Sequence, residues 1–435
     1  MVEWSLLTGW LPAALTATGL LILLGLVVLP PRPKWWRTAL WLMAATGVFV
    51  IVTTLFVTRV WKPFSDSFPL NVLVWSWLGL SAVVLGSALI VTRPKSWWVL
   101  ASAVAGLLAF VGIAATQVNR TYGQFPTVGV ALGLTRPKLT DLSTVETANE
   151  VVAAPVDGYL AETWQPRQPL PSKGIIAQVD IPGDVSGFQA RPAHIYLPPA
   201  YLSTEPRPLL PVLVLMAGQP GSTDSWLVSG QLAQKLDNYA AAHNGLAPIV
   251  VMPDQLGSNF ANPLCVDSPE GNVETYLRQD VPNWIRQHLQ TATDRDTWAI
   301  GGLSTGGTCA MQMAVRAPET YGRFLDIAGE YQPLDGSEKE TVSKYFGGDQ
   351  SAYAAINPVE IMKTHRFEDT AGRLVAGTGD DEFYPQLKKV LAATEAAGMD
   401  MTWLELPGGH SWQVWAPGLE DSLDWLAAKT RLVRG

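Results

Sequence analysis

The chain has 435 residues, 48% of them hydrophobic and only 16% charged, with a formal net charge of −8 and two cysteines. Soluble domains carry about 25% charged residues, so this composition excludes disorder, collagen-like repeats and disulfide scaffolds, and argues against a wholly soluble protein. The charge is uneven: nine charged residues, seven of them basic, precede residue 118, and the acidic remainder is unsuited to binding nucleic acid.

Residues 4–31, 38–58, 67–92 and 96–119 contain no charged side chain, and each exceeds the roughly 20 residues a helix needs to cross a bilayer core. They predict a four-helix transmembrane anchor over 1–119. The first run is too long for a signal peptide, and no basic leader precedes it. Ten of the 18 tryptophans lie in this part, and Trp4, Trp10, Trp35, Trp36, Trp61, Trp97 and Trp98 stand near segment ends, as interfacial anchors do. Arg32, Lys34, Arg37, Arg93 and Lys95 fall in the first and third loops, against Arg59, Lys62 and Arg120 on the other side. That bias puts the first and third loops in the cytoplasm and everything after residue 120 outside. No ionisable residue lies within a span, so the bundle reads as an anchor in the lipid bilayer rather than an ion or proton path.

Residues 120–172 mix Pro, Gly, Thr and acids without periodicity, which reads as a linker or neck. From 173 to 435 strands and helices alternate. Ile175–Ile181 and Gln189–Leu197 alternate as half-exposed strands do, whereas Leu209–Met216 and Ala247–Met252 are continuous apolar runs suited to strands buried on both faces. Shorter runs follow at Thr297–Ile300, Arg373–Ala376 and Met401–Leu406, with helical stretches at Val228–Ala242, Val273–Leu289 and Pro385–Ala397. This alternation predicts a doubly wound, mostly parallel sheet.

The sharpest motif is Gly302-Leu303-Ser304-Thr305-Gly306, set between the apolar run Trp298-Ala299-Ile300 and an Ala/Met-rich helix. Small residues around the serine permit a sharp strand-to-helix turn that exposes the hydroxyl, and the helix N-terminus favours a nearby oxyanion. Such a nucleophile needs a base. Of the five histidines, His410 stands in the glycine-bearing loop Pro407-Gly408-Gly409-His410 directly after a late strand, where the chain order Ser, acid, His expects it. The acid belongs at the end of the intervening strand, where Asp380, Asp381 and Glu382 follow one another; Asp380, first past the Gly-Thr-Gly turn, is preferred, with Asp381 as the alternative. Oxyanion-hole N–H groups are expected from Gln219, in the loop after the third strand, and from Thr305.

Pro211–Gly218, Ile249–Asp254, Gly302–Gly307 and Gly408–Trp412 together resemble the putative-esterase family of α/β-hydrolases, which contains S-formylglutathione hydrolases, feruloyl esterases and actinobacterial mycolyltransferases. The resemblance covers residues 175–430. It implies acyl-ester chemistry with Ser304 as nucleophile, His410 as base and Asp380 as acid. Many members carry His-Gly after the third strand, where this chain has Ala217-Gly218. A Trp-rich four-helix anchor fused to such a domain is similar to envelope proteins of mycolate-bearing actinobacteria.

The two cysteines, Cys265 and Cys309, fall after the fourth strand and in the elbow helix; on an oxidising side they would pair and brace the elbow, the alternative being two separate thiols. No metal-ligand spacing and no phosphate-binding glycine loop is present, so no metal or cofactor is expected. The expected protein is a serine esterase or acyltransferase, tethered so that it meets an envelope ester at the outer membrane face. An aminoacyl ester of phosphatidylglycerol, or a related aminoacyl glycerolipid, is the preferred substrate, because clustered acids near the site would meet its ammonium group. A mycolyl ester is the alternative. A non-enzymatic envelope scaffold is the reading from another class.

Overall fold

The computed structural model describes residues 2–28, 30, 33–61, 68–92, 97–135 and 137–435, apart from the side chains at 90–92 and 97–100. Arg32, Lys62, Arg93 and Lys95, used above for orientation, lie outside the described residues, as do the side chains of Trp97 and Trp98. The chain divides into two units, Met1–Arg136 and Pro137–Gly435.

The first unit contains α1 (Trp10–Val28), α2 (Trp35–Phe56), α3 (Leu70–Thr92) and α4 (Trp97–Phe110). A π turn, Val57–Trp61, prolongs α2, and a second, Val111–Ala115, carries α4 on into Thr116–Tyr122. Among the described residues, four helices here are long and apolar enough to cross a membrane. Polar side chains among them are bonded to one another, because an unmet donor in an apolar medium is costly. The Thr46 and Ser81 hydroxyls lie 2.8 Å apart, Trp77 Nε1 donates to the Met43 carbonyl at 2.7 Å, and Gln117 donates to Thr16 Oγ1 at 2.7 Å. Trp4, Trp10, Trp36 and Trp61 face outward. Trp35 does not: it is buried, and its Nε1–H donates to the Leu26 carbonyl at 2.9 Å, tying α2 to the end of α1 instead of reaching an interface.

The stretch 120–172, a linker by composition, is shared between the two units. Its first part stays with the helices, where Val128 N–H donates to the Trp4 carbonyl. Its later part wraps the second unit. Leu160 and Trp164 are buried there, and Trp164 Nε1 donates to the Pro206 carbonyl at 2.9 Å. Isolated apolar anchors in a polar, Pro-rich stretch leave no periodic signal, so composition alone reads them as linker.

The second unit is built on eight strands: β1 (Ile175–Val179), β2 (Ala193–Leu197), β3 (Val212–Met216), β4 (Ile249–Met252), β5 (Trp298–Leu303), β6 (Arg323–Ile327), β7 (Ala371–Gly377) and β8 (Asp400–Leu406). Their spatial order is β8-β7-β6-β5-β3-β4-β2-β1. From β4 to β8 every neighbouring pair is parallel, and β2 runs antiparallel to both β1 and β4. Both faces are covered, and β3 shows why its sequence reads as one apolar run. Val212, Val214 and Met216 enter one apolar cluster while Leu213 and Leu215 enter the other, the two-residue period of a strand filling two cores at once. The principal helices are α5 (Leu232–Ala242), α6 (Val281–His288), α7 (Thr305–Arg316), α8 (Phe383–Ala396) and α9 (Trp412–Glu420). Three further helices, Glu338–Phe346, Gln350–Ile356 and Pro358–Met362, are inserted between β6 and β7.

The sheet departs from the sequence reading at β2 and β6. β2 is buried along its whole length rather than half exposed, because it is hydrogen-bonded on both edges and covered on both faces. β6 carries no sufficient apolar run in Arg-Phe-Leu-Asp-Ile, yet it occupies the sheet between β5 and β7.

Candidate active site

Parallel strands of one sheet deliver their C-terminal loops to the same edge, and here three such loops converge. Ser304 follows β5 directly, with φ 52° and ψ −124°, a conformation uncommon outside glycine. Its N–H donates to the Ile327 carbonyl at 2.8 Å, and its own carbonyl accepts from Thr308 N–H at 3.0 Å as α7 begins. The turn is closed so tightly that a Cβ on Gly302 would stand 2.4 Å from the Gly306 backbone, and one on Gly306 would stand 2.5 Å from the Ala217 carbonyl oxygen. Both glycines of the pentapeptide are therefore sterically required.

His410, in the loop after β8, places Nε2 2.9 Å from Ser304 Oγ and Nδ1 2.9 Å from Asp380 Oδ2. With Nδ1–H donated to the carboxylate, Nε2 is left to accept from the serine hydroxyl. Asp380 is 5% exposed, and its second oxygen accepts from Phe383 N–H at 3.0 Å, which fixes the carboxylate at the head of α8. The two loops are also tied together, Gly379 N–H donating to the Gly408 carbonyl at 2.8 Å. Asp381 and Glu382 are exposed. Among the three consecutive acids, burial and direction single out Asp380.

Sequence reasoning missed the walls around the imidazole. The Phe383 ring stacks on His410 with centroids 3.9 Å apart, and the Trp415 ring meets it edge-on at 5.0 Å. The only signal was spacing: an aromatic three residues past the acid and another five past the histidine. The other four histidines are elsewhere. His243 and His288 donate to carbonyls in their own helices, and His365 is exposed. His194, on β2, lies with Nδ1 3.0 Å from Thr223 Oγ1; burial pulls it below its ordinary range, against the raising effects of Asp224 and the Thr223 contact.

Thr305 opens α7, so its N–H has no intrahelical acceptor. The loop after β3 reaches the serine through Gly218: a Cβ there would lie 3.1 Å from Ser304 Cβ. The Gln219 N–H follows at the next peptide, while its side-chain amide is turned away and donates to the Phe260 carbonyl at 3.0 Å. Cys265 and Cys309 are joined in a disulfide, with Cα atoms 5.6 Å apart, linking the loop after β4 to α7.

An eight-stranded, mostly parallel sheet with a serine on a strained strand-to-helix turn and a histidine and aspartate from later strand ends defines a serine hydrolase of α/β-hydrolase architecture. The family model described as "Putative esterase" matches residues 189–426, and the chain belongs to this esterase family. An uncharacterized protein of Corynebacterium glutamicum is 36% identical over 422 residues, 95% of this chain and 93% of that one, so the likeness runs through the apolar helices as well. An esterase of Mycobacterium tuberculosis is 27% identical over 215 residues, 42% of this chain and 45% of its own length. Among solved structures, a ferulic acid esterase superposes with a TM-score of 0.52 at 18% identity, covering 60% of this chain and all of that one, a likeness of fold.

Proposed function

We propose that the protein is a membrane-anchored serine esterase or acyltransferase that works through an acyl-enzyme on an ester-linked lipid at the outer face of the membrane. The observation that carries this reading is the relay Ser304–His410–Asp380, with both hydrogen bonds at 2.9 Å, in the same chain as four membrane-length apolar helices. Ser304 Oγ attacks the ester carbonyl while His410 Nε2 takes its proton, and the resulting imidazolium is held by Asp380. The negative charge on the carbonyl oxygen meets the N–H groups of Gln219 and Thr305. Collapse expels the alcohol, which takes the proton back from His410, and leaves an acyl group on Ser304. Water or a second alcohol, deprotonated by His410, then releases it.

The tether favours substrates that reside in the bilayer. Exposed Asp381 and Glu382 beside Asp380, and half-exposed Glu330 after β6, place acids around the same edge of the sheet, which supports an aminoacyl ester carrying a free ammonium group. Aminoacyl-phosphatidylglycerol, or a related aminoacyl glycerolipid, is the substrate class that fits.

Lipid profiles of cells lacking the gene, complemented by wild type or by Ser304→Ala, test this. Aminoacyl glycerolipid should accumulate and fall only with wild type. Accumulation of a mycolyl ester instead would replace the substrate, and unchanged lipids would refute a lipid substrate altogether. If a fluorophosphonate probe labels wild type no more than Ser304→Ala, the protein is a scaffold.

A further inference from the structure

Outside the relay, the Asp254 carboxylate, after β4, is a densely bonded polar group at this edge of the sheet. It is 1% exposed and accepts from the N–H groups of Arg191, Leu256 and Gly257 at 2.8–3.1 Å. It also takes a forked pair from the Arg191 guanidinium, Nε at 2.9 Å and Nη2 at 2.7 Å. A buried carboxylate with this many donors is fully compensated, and the fork fixes the plane of the guanidinium. What the plane is fixed for lies on its far side. Arg191 Nη2 donates to the Gly221 carbonyl at 3.2 Å, and Nη1 donates to Asn259 Oδ1.

Gly221 belongs to the loop that carries Gly218 against Ser304. The same loop is held at three further points. Gly221 N–H donates to the Asn259 carbonyl at 3.0 Å, and Gln255 Nε2 donates to the Ala217 carbonyl. Thr223 Oγ1 donates to the Pro192 carbonyl at 2.8 Å and accepts from His194 Nδ1 at 3.0 Å. The residues leading into β2 and the loop after β4 thus grip this loop from both sides, and Arg191 with Asp254 joins the two grips.

We infer that Arg191, oriented by Asp254, is a positioning residue that holds the 217–223 loop so that the Gln219 N–H meets the oxyanion. The inference rests on the acyl-transfer reading above. Its consequence is specific: loosening the loop weakens an interaction made in the transition state and leaves ground-state binding of the ester nearly unchanged, so kcat falls and KM does not.

The test uses the full-length chain in detergent and a p-nitrophenyl ester as probe. Arg191→Ala should lower kcat about 10- to 100-fold, less than the roughly 100- to 1000-fold of losing an oxyanion donor outright. KM should stay within about twofold, and the pH profile should keep its shape, because the His410–Asp380 pair is untouched. Added guanidinium ion should restore part of the lost kcat in Arg191→Ala and none in wild type. Arg191→Lys, which keeps the charge but has no fork to span Asp254 and Gly221, should fall between the two, and it decides the matter if Arg191→Ala does not fold. Wild-type kcat in both variants, or a change confined to KM, overturns the inference. Ser304→Ala run alongside separates the two readings. If it is inactive while the Arg191 variants are normal, only the clamp fails; if it keeps activity, the acyl-transfer reading fails.

Discussion

Asp326, the fourth residue of β6, is fully buried behind the elbow helix. Its Oδ1 accepts from Gly329 N–H at 2.8 Å, and its Oδ2 has no hydrogen-bond partner among the described residues. Burial pushes its carboxyl from an ordinary 3.8 up to about 7, against the lowering effect of the Gly329 N–H. Between those values the folded chain keeps a proton that the unfolded chain has released. The stability this group contributes is therefore fullest below pH 4 and is lost as pH rises to about 7. At about 1.4 kcal/mol per pH unit, the whole span is worth about 4 kcal/mol, and the part between pH 5 and 8 about 3 kcal/mol. Asp326→Asn removes the titration and keeps an oxygen for Gly329. Urea melts of the detergent-solubilised protein, followed by near-UV circular dichroism, should show the variant gaining on wild type by about 3 kcal/mol from pH 5 to pH 8. Melts of the two proteins that shift in parallel over this range would refute the assignment of a buried, titrating acid at this position.

Ser304→Ala or His410→Ala should cost several orders of magnitude in ester turnover, since the members of such a relay act as a unit; initial rates on a soluble ester measure this. Asp380→Asn should approach that loss and Asp381→Asn should not, because only Asp380 is buried and bonded to His410. Removing the disulfide by Cys265→Ser with Cys309→Ser opens a cross-link 44 residues apart in sequence, worth about 4 kcal/mol on the loop-closure model, and should lower Tm measurably under non-reducing conditions. For the proposed outward orientation, protease added to intact protoplasts should remove the unit after residue 136, and a cysteine placed at Lys34 should resist an impermeant maleimide; the reverse pattern inverts the protein.

Much of this was legible in the sequence because it is written in local chemistry. Absence of charge over membrane-length runs needs no tertiary context to be read. Nor does the elbow: a serine at positive φ demands small neighbours, and Gly302 and Gly306 stand where a Cβ would strike backbone. His410 was found by its place after the last strand. What the sequence left open was whatever depends on direction or burial. Asp380 and Asp381 are adjacent and chemically alike, and only the turn after β7 aims one carboxylate at the imidazole and leaves the other in solvent. β6 escaped notice because two of its five residues are charged, and only its neighbours β5 and β7 make a strand of it. Trp35 and Trp164 sit in stretches read as an interface and a linker, yet both are buried, their indole N–H groups donating to the Leu26 and Pro206 carbonyls. The clamp was invisible for the same reason. Arg191 and Asp254 are 63 residues apart, and no periodicity or motif joins residues that meet only when antiparallel β2 and β4 pair in the folded sheet.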